Sequence, residues 1–241
     1  MHQLKPERYD PSAYASQTIT LCGIGFVGDQ SGALYWPAQR ALIVSDLHFE
    51  KGSSGRGNGR LLPPYDTRET LLRLADAIDA YQPDCVICLG DSFHDSDGCA
   101  RIGDEDLKVL RILQDNRRWI WVTGNHDPNV DAYVVGGEVV HEIARGGFTL
   151  RHEPYPAPTT HEIAGHLHPA AKLNIHGASL RRRCFVSNGR RIVMPAFGAF
   201  TGGLNVLDVA FEPVFGCDGV SVWMLGDEGL YPVASRQLRG D

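Results

Sequence analysis

Residues able to do chemistry close five apolar runs of this chain. "LIVSDLH" delivers Asp46 and His48, and "VICLGD" delivers Asp91. "IWVTGNHD" delivers Asn125, His126 and Asp127, "FTLRH" delivers His152, and "IAGHLHP" delivers His166 and His168. Taken singly, each is ordinary: D-x-H can be a turn, and a lone histidine is most often a core or surface residue. Brought side by side they would not rest as a bare cluster, because neighbouring carboxylates and imidazoles shift one another's pKa values. A cation satisfies all their lone pairs at once. Carboxylate oxygen, amide oxygen and imidazole nitrogen, with no thiolate, suit Mn²⁺, Fe or Zn²⁺ rather than a soft thiophilic metal. Seven of these nine as donors, with a central aspartate able to bridge, would point to two ions.

Such donors meet only if the elements carrying them converge. Strand-like runs recur at 18–26, 41–46, 85–91, 119–125 and 148–153, then at 161–166, 182–187, 191–196, 204–211 and 220–225. Helices intervene in the first half. "DTRETLLRLADAIDAYQ" starts with Asp66 three residues before Glu69, like a capping box, and places Leu71, Leu74, Ala75 and Ile78 on one face. "DEDLKVLRILQDN" aligns Leu107, Leu110 and Leu113 in the same way. Strand–helix–strand units imply a parallel or mixed sheet under helices, and functional groups gather beyond the carboxyl ends of such strands. The second half is mostly strand, so a second sheet should pack behind the first. The expectation is one α/β domain over residues 1–241, with core motifs at 41–168 and a β-rich part at 180–232.

The totals fit a globular chain: of 241 residues, 43% are hydrophobic and 22% charged, ample material for a core. No run approaches the roughly 18 to 20 apolar residues that span a bilayer. The opening stretch, "MHQLKPERYDPSAYASQ", has charges and prolines where a secretory signal needs an apolar centre, so a cytoplasmic protein with no membrane partner is expected. A net charge of −6 argues against a surface coated for wrapping nucleic acid, although a local basic groove is compatible with it. Positive charge clusters at Arg181, Arg182, Arg183, Arg190 and Arg191, and at Lys51, Arg56 and Arg60. Six cysteines sit mostly inside apolar runs. Cys85-x-x-Cys88 has no second pair to complete a zinc site and reads as small hydrophobes in a buried strand.

At the motifs between residues 41 and 168 the chain resembles the calcineurin-like metallophosphoesterase superfamily. The resemblance implies a four-layer α/β/β/α sandwich of two mixed β-sheets flanked by helices, with two divalent ions at the strand ends. Mn²⁺ is the first expectation, Zn²⁺ or Fe the alternatives. Carried over by motif, one ion falls to Asp46, His48, Asp91 and His168, and the other to Asp91, Asn125, His152 and His166. The family's fourth histidine is often followed by glycine, whereas Glu153 and Pro154 follow His152 here. His141 and His161 compete with it, but neither closes an apolar run as cleanly. The reaction implied is phosphoester hydrolysis by metal-activated water. His126 resembles the family histidine that contacts the scissile phosphate and serves the leaving oxygen, and Asp127 would orient it.

Within the superfamily, "SDLHFEKG", "GDSFHD" and "GHLHP" look closest to the bacterial ligase-associated DNA damage response endonucleases, manganese-dependent phosphodiesterases linked with a DNA ligase and a helicase of DNA repair. The implied substrate is DNA, single-stranded or flexible, and the implied partners are those repair proteins; the oligomeric state stays open. Lys51, His94, Arg181 and Arg183 are the candidate phosphate contacts, with loop or solvated-hairpin roles as the plain alternative. Phe185, Phe197 and Phe200 could stack on bases or pack in the core. A diesterase of small nucleotides or UDP-sugars, or a phosphomonoesterase, would share the same ligands. Only 13 residues separate His152 from His166, which leaves little room for the helical lid of the lipid-precursor enzymes. A non-catalytic scaffold would have lost ligands that this chain keeps.

Overall fold

The computed structural model describes residues 16–54, 65–175 and 177–241. Arg56, Arg60 and the opening "MHQLKPERYDPSAYA" lie outside the described residues. The first sheet runs β1 (Gln17–Leu21), β2 (Ile24–Gly28), β3 (Leu34–Trp36), β4 (Ala41–Val44), β5 (Cys85–Leu89), β6 (Arg118–Val122) and β7 (Glu138–Val140), in that spatial order. Neighbours are antiparallel as far as β4 and parallel from β4 to β7. β4 and β5 are buried at every position, as parallel strands covered on both faces must be. Cys85 and Cys88 lie among them as free, buried thiols.

The short helix α1 (Lys51–Ser54) follows β4, and α2 (Asp66–Tyr81) leads into β5. Between β5 and β6 come α3 (Gly98–Arg101) and α4 (Asp104–Gln114), and α5 (Ala132–Val135) precedes β7. Leu71, Leu74, Ala77 and Ile78 of α2, with Leu110 and Leu113 of α4, pack on Leu42, Val44, Val86, Cys88 and Trp121. The pleat turns Ile43, Ile87, Ile120 and Val122 to the other face, where they meet Leu150, Ile163, Phe185 and Ile192 of the second sheet.

That second sheet comprises β8 (Glu142–Arg145), β9 (Phe148–Arg151), β10 (Glu162–Ala164), β11 (Pro169–Ile175), β12 (Ala178–Ser187), β13 (Arg191–Val193) and β14 (Leu204–Asn205). Its order is β14-β11-β12-β13-β10-β9-β8, and β15 (Ser221–Leu225) and β16 (Leu230–Val233) extend it from β12. Both sheets are mixed, and helices flank them. On the far side the cover is thin: Phe211, Val214 and Phe215, from a 3-10 turn and the short α6 (Glu212–Phe215), lie over Cys184, Val186 and Val193. No helix among the described residues is long and apolar enough to cross a membrane.

Local chemistry explains where the elements depart from the periodic reading. The run 18–26 is a hairpin, because Cys22 (φ 50°) and Gly23 (φ 82°) turn the chain back on itself. The run 204–211 is strand only at β14, because the Asn205 side chain accepts the Leu207 N–H and the Asp208 side chain accepts the Ala210 N–H. Asp66 is not a cap; its carboxylate accepts the Gly52 N–H and ties α1 to α2. Near the C-terminus, Leu238 is buried and the Arg239 N–H donates to the Lys172 carbonyl.

Between the second sheet and the loop at 153–156 lies a fully buried ion pair, Arg191 with Glu162. Arg191 also donates to the carbonyls of Val214 and Tyr155. Removing one partner of a buried pair leaves an uncompensated charge, so Arg191→Ala should lower stability by about 3 to 5 kcal/mol. Urea unfolding measures this, and an unchanged midpoint would contradict it.

Candidate metal centre

Asp46 follows β4, Asp91 follows β5 and Asn125 follows β6, while His152 follows β9 and His166 and His168 follow β10. Strand pairing places these exits level, with Val44 opposite Cys88 and Leu89 opposite Val122 in one sheet, and Arg151 opposite Ala164 in the other. The two sheets meet where the His166 N–H donates to Asp46 Oδ2 (3.1 Å). Asp46, His48, Asp91, His166 and His168 all have left-handed backbone, with φ of 54°, 46°, 47°, 69° and 45°. Aspartate and histidine tolerate that region better than most residues, yet it still costs about 1 to 2 kcal/mol each. Strain concentrated on these donors marks a place where side-chain direction outweighs backbone comfort.

Two donor groups could each hold a cation. Asp46, His48 and His168 form one, Asp91, His152 and His166 the other, and the ligand atoms of each group lie within 4.8 Å of one another. In the first, His48 Nε2 and His168 Nε2 face each other at 3.3 Å, and Asp46 Oδ1 lies 3.1 Å from His168 Nε2. In the second, His152 Nε2 is 3.2 Å from His166 Nδ1, 2.9 Å from Asn125 Oδ1 and 3.4 Å from Asp91 Oδ1. The Asp91 carboxylate lies between the groups, with Oδ1 toward His152 and Oδ2 4.0 Å from His48 Nε2.

These residues fit metal ions. Asp46 Oδ1 is buried, and among the described residues its near polar neighbour His168 Nε2 does not approach with hydrogen-bond geometry. One proton on His152 Nε2 cannot serve three acceptors, whereas a cation can. The other ring nitrogen, Nδ1, donates to the Leu89 carbonyl (2.9 Å), which aims the Nε2 lone pair into the site. Electrostatics agree. Burial pushes the Asp46 carboxyl up, but the imidazoles of His168, His152 and His48 outweigh it and hold it at about 2. Burial dominates at His48, lowering it to about 3. His152 goes the other way: burial opposes its charge, yet the Asp91 and Asp46 carboxylates raise it to about 9.

The remaining expected residues divide. His126 stands at the mouth, its Nε2 3.9 Å from Asp91 Oδ2, its ring stacked on His94 and edge-on to His48. Asp127 does not touch that ring, contrary to expectation; His126 Nδ1 donates to the His94 carbonyl (2.8 Å) instead. The Asp127 carboxylate accepts the N–H groups of Asp91, Ser92, Phe93 and Gly124, so it clamps the backbone that carries Asp91. Burial raises it to about 6. Lys51 lies beside His48 and His94, within reach of their charge, and donates to the Phe200 carbonyl.

Arg181 and Arg183 are not free phosphate contacts. Arg181 binds the Gly203 carbonyl and Asp241, and Arg183 binds the carbonyls of Ala196, Phe197 and Gly198. Arg182 pairs with Asp227 and Arg190 with Asp218. Four of the five arginines of the cluster are thus paired with acids distant in sequence, and Arg183 is held by backbone carbonyls. Phe185 and Phe197 are fully buried in the core, and only Phe200 is exposed.

Sequence reasoning missed the supports. Ser45 donates to Asp46 Oδ2, and its only signal was a hydroxyl directly after a buried strand. Gly90 (φ 75°) packs against the His152 ring, and any Cβ at Gly124 would collide with Asp91 Oδ1 and its backbone nitrogen. Displacing such supports typically costs 10- to 100-fold in metal affinity, so Gly124→Ala should lower Mn²⁺ affinity by about that factor. Isothermal titration checks it, with unaltered affinity as the contrary result.

The profile of the calcineurin-like phosphoesterase family matches residues 39–192. The chain belongs to that family. It is accordingly a metal-dependent hydrolase. No curated protein matches the chain in sequence. Among solved structures it is similar to Pseudomonas putida nuclease MPE, with 28% identity and a TM-score of 0.70 over 90% of this chain and 100% of that one. Two weaker likenesses add nothing to the fold. Yfce, a phosphoesterase from E. coli, aligns at a TM-score of 0.41 with 15% identity over 80% of this chain and 98% of that one. A protein of unknown function from Aquifex aeolicus aligns at 0.38 with 21% identity over 53% and 78%.

Proposed function

We propose that this phosphoesterase is a DNA endonuclease that uses two divalent ions, Mn²⁺ first among them. The observation that carries the reading is the Asp91 carboxylate, which faces donors of both groups and so can be shared by two cations. One ion would be held by Asp46, His48, Asp91 and His168, the other by Asp91, Asn125, His152 and His166. When bound, such ions lower the pKa of water and neutralise charge on phosphate oxygens. The chain's own residues do the rest. His126 reaches over the centre toward the leaving oxygen, Asp127 fixes the loop beneath it, and Lys51 and His94 line the His48 side. The likeness to Pseudomonas putida nuclease MPE over the whole of that chain favours a nucleic acid over a small diester.

A net charge of −6, with Arg181, Arg182 and Arg190 already paired among the described residues, favours single-stranded or flexible DNA over a wrapped duplex. A place beside a DNA ligase and a helicase in repair rests on the motif resemblance alone. The test incubates metal-free protein with single-stranded DNA, duplex DNA, a cyclic dinucleotide and a phosphomonoester, adding Mn²⁺, Zn²⁺ or Mg²⁺ in turn. Fastest cleavage of single-stranded DNA with Mn²⁺ is expected. Turnover of the monoester alone would replace the nuclease with a phosphomonoesterase.

A further inference from the structure

Beside Asn125 and His152 opens a cavity of about 530 Å³, also lined by Arg151, Glu153 and Tyr155. Tyr155 is an unusual wall. It is 55% exposed, yet everything around it is fixed. Its N–H donates to Glu162 Oε1 (3.1 Å) and its carbonyl accepts from buried Arg191, while Pro154 and Pro156 restrict the backbone on either side. The Arg151 guanidinium lies 3.5 Å from the centroid of its ring, and Arg151 is itself held by Glu142 (2.9 Å). One face of the ring is therefore covered by a cation, and the residue stays half exposed beside the cavity it lines. An exposed aromatic that has already lost its freedom costs little further entropy on binding, and a flat ring backed by a guanidinium is a stacking platform.

The remaining chemistry narrows the ligand. Glu142 and Glu153 are among the lining residues and can accept hydrogen bonds from the amino groups of bases, while Glu142 also offsets the charge of Arg151 beside it. A volume of this size holds a nucleoside, within the roughly 300 to 1,000 Å³ range of small-molecule sites. We propose that this cavity is a nucleobase subsite, in which the base next to the scissile phosphate stacks on Tyr155 while its phosphate lies at the Asn125 and His152 edge. The assignment takes its substrate from the phosphodiesterase reading above. It also gives a flexible strand a hold that does not depend on the paired arginines at 181, 182 and 190: a base taken out of the stack.

The experiment is a fluorescence titration with a dinucleotide carrying 2-aminopurine and joined by an uncharged, uncleavable methylphosphonate, so that neither metal nor turnover enters the reading. Wild-type protein should quench the probe, and Tyr155→Ala should weaken binding roughly tenfold, the size of one lost stacking contact. Tyr155→Phe should bind like wild type, and an abasic dinucleotide should fail to compete. Tyr155 is exposed, so both variants should keep the wild-type melting temperature. Equal binding by wild type and Tyr155→Ala, or full competition by the abasic analogue, overturns the subsite even if DNA is cleaved. Base-dependent binding without cleavage of any DNA leaves the subsite standing and removes the nuclease reading.

Discussion

Asp91→Asn should abolish turnover while leaving the fold intact. The amide keeps the size of the carboxylate and its Oδ1 can still accept the His126 N–H that Asp91 receives at 2.9 Å. What it loses is the charge that both donor groups face. Shared metal charge stabilises the transition state by several kcal/mol, so kcat/KM should fall by about 10³-fold or more. Mn²⁺ per chain should drop below two by elemental analysis of dialysed protein. A variant that still binds two ions and keeps its rate would show that Asp91 is not the shared ligand.

His126→Ala should separate metal binding from leaving-group chemistry. The ring stands outside both donor groups, 43% exposed at the side chain, and its Nδ1 is committed to the His94 carbonyl, so Nε2 is the nitrogen that faces the site. General acid catalysis is worth about 10²- to 10⁴-fold when the leaving group is a poor one. On DNA or an alkyl diester the variant should lose activity by that factor, with Mn²⁺ content unchanged. On a 4-nitrophenyl diester, whose leaving group needs no proton, most of the rate should remain. Equal losses on both substrates would reduce His126 to a binding role, and near-wild-type rates on the alkyl diester would remove it altogether.

The donors were legible in sequence because each is written locally. An apolar run followed at once by Asp, His or Asn is a strand end carrying a functional group, and Asp46, Asp91, Asn125, His152 and His166 all stand there. The helices were equally plain, since the apolar face of α2 is set by a period of 3.6 residues. Short or polar elements were not. β7 and β8 hold only a few residues each, with glutamates and an arginine among them, too little pattern to stand out. The 204–211 run failed for the opposite reason: its apolar content suggested strand, but side-chain hydrogen bonds from Asn205 and Asp208 bent it into turns.

Sequence by itself determined which atoms could meet a cation, in what chemical mixture, and that they close successive strands of an α/β fold. Only the tertiary structure decided what each polar side chain does with its hydrogen bonds. It turned Asp127 from a partner of His126 into a clamp on the Asp91 loop, and it tied Arg181, Arg182, Arg190 and Arg191 to acids from 162 to 241. It also set Tyr155 over Arg151 beside the donors. The physical reason is range. Strand ends and helix faces follow from neighbours a few residues apart, whereas a buried carboxylate or guanidinium takes whatever partner the packing of two sheets brings within about 3 Å.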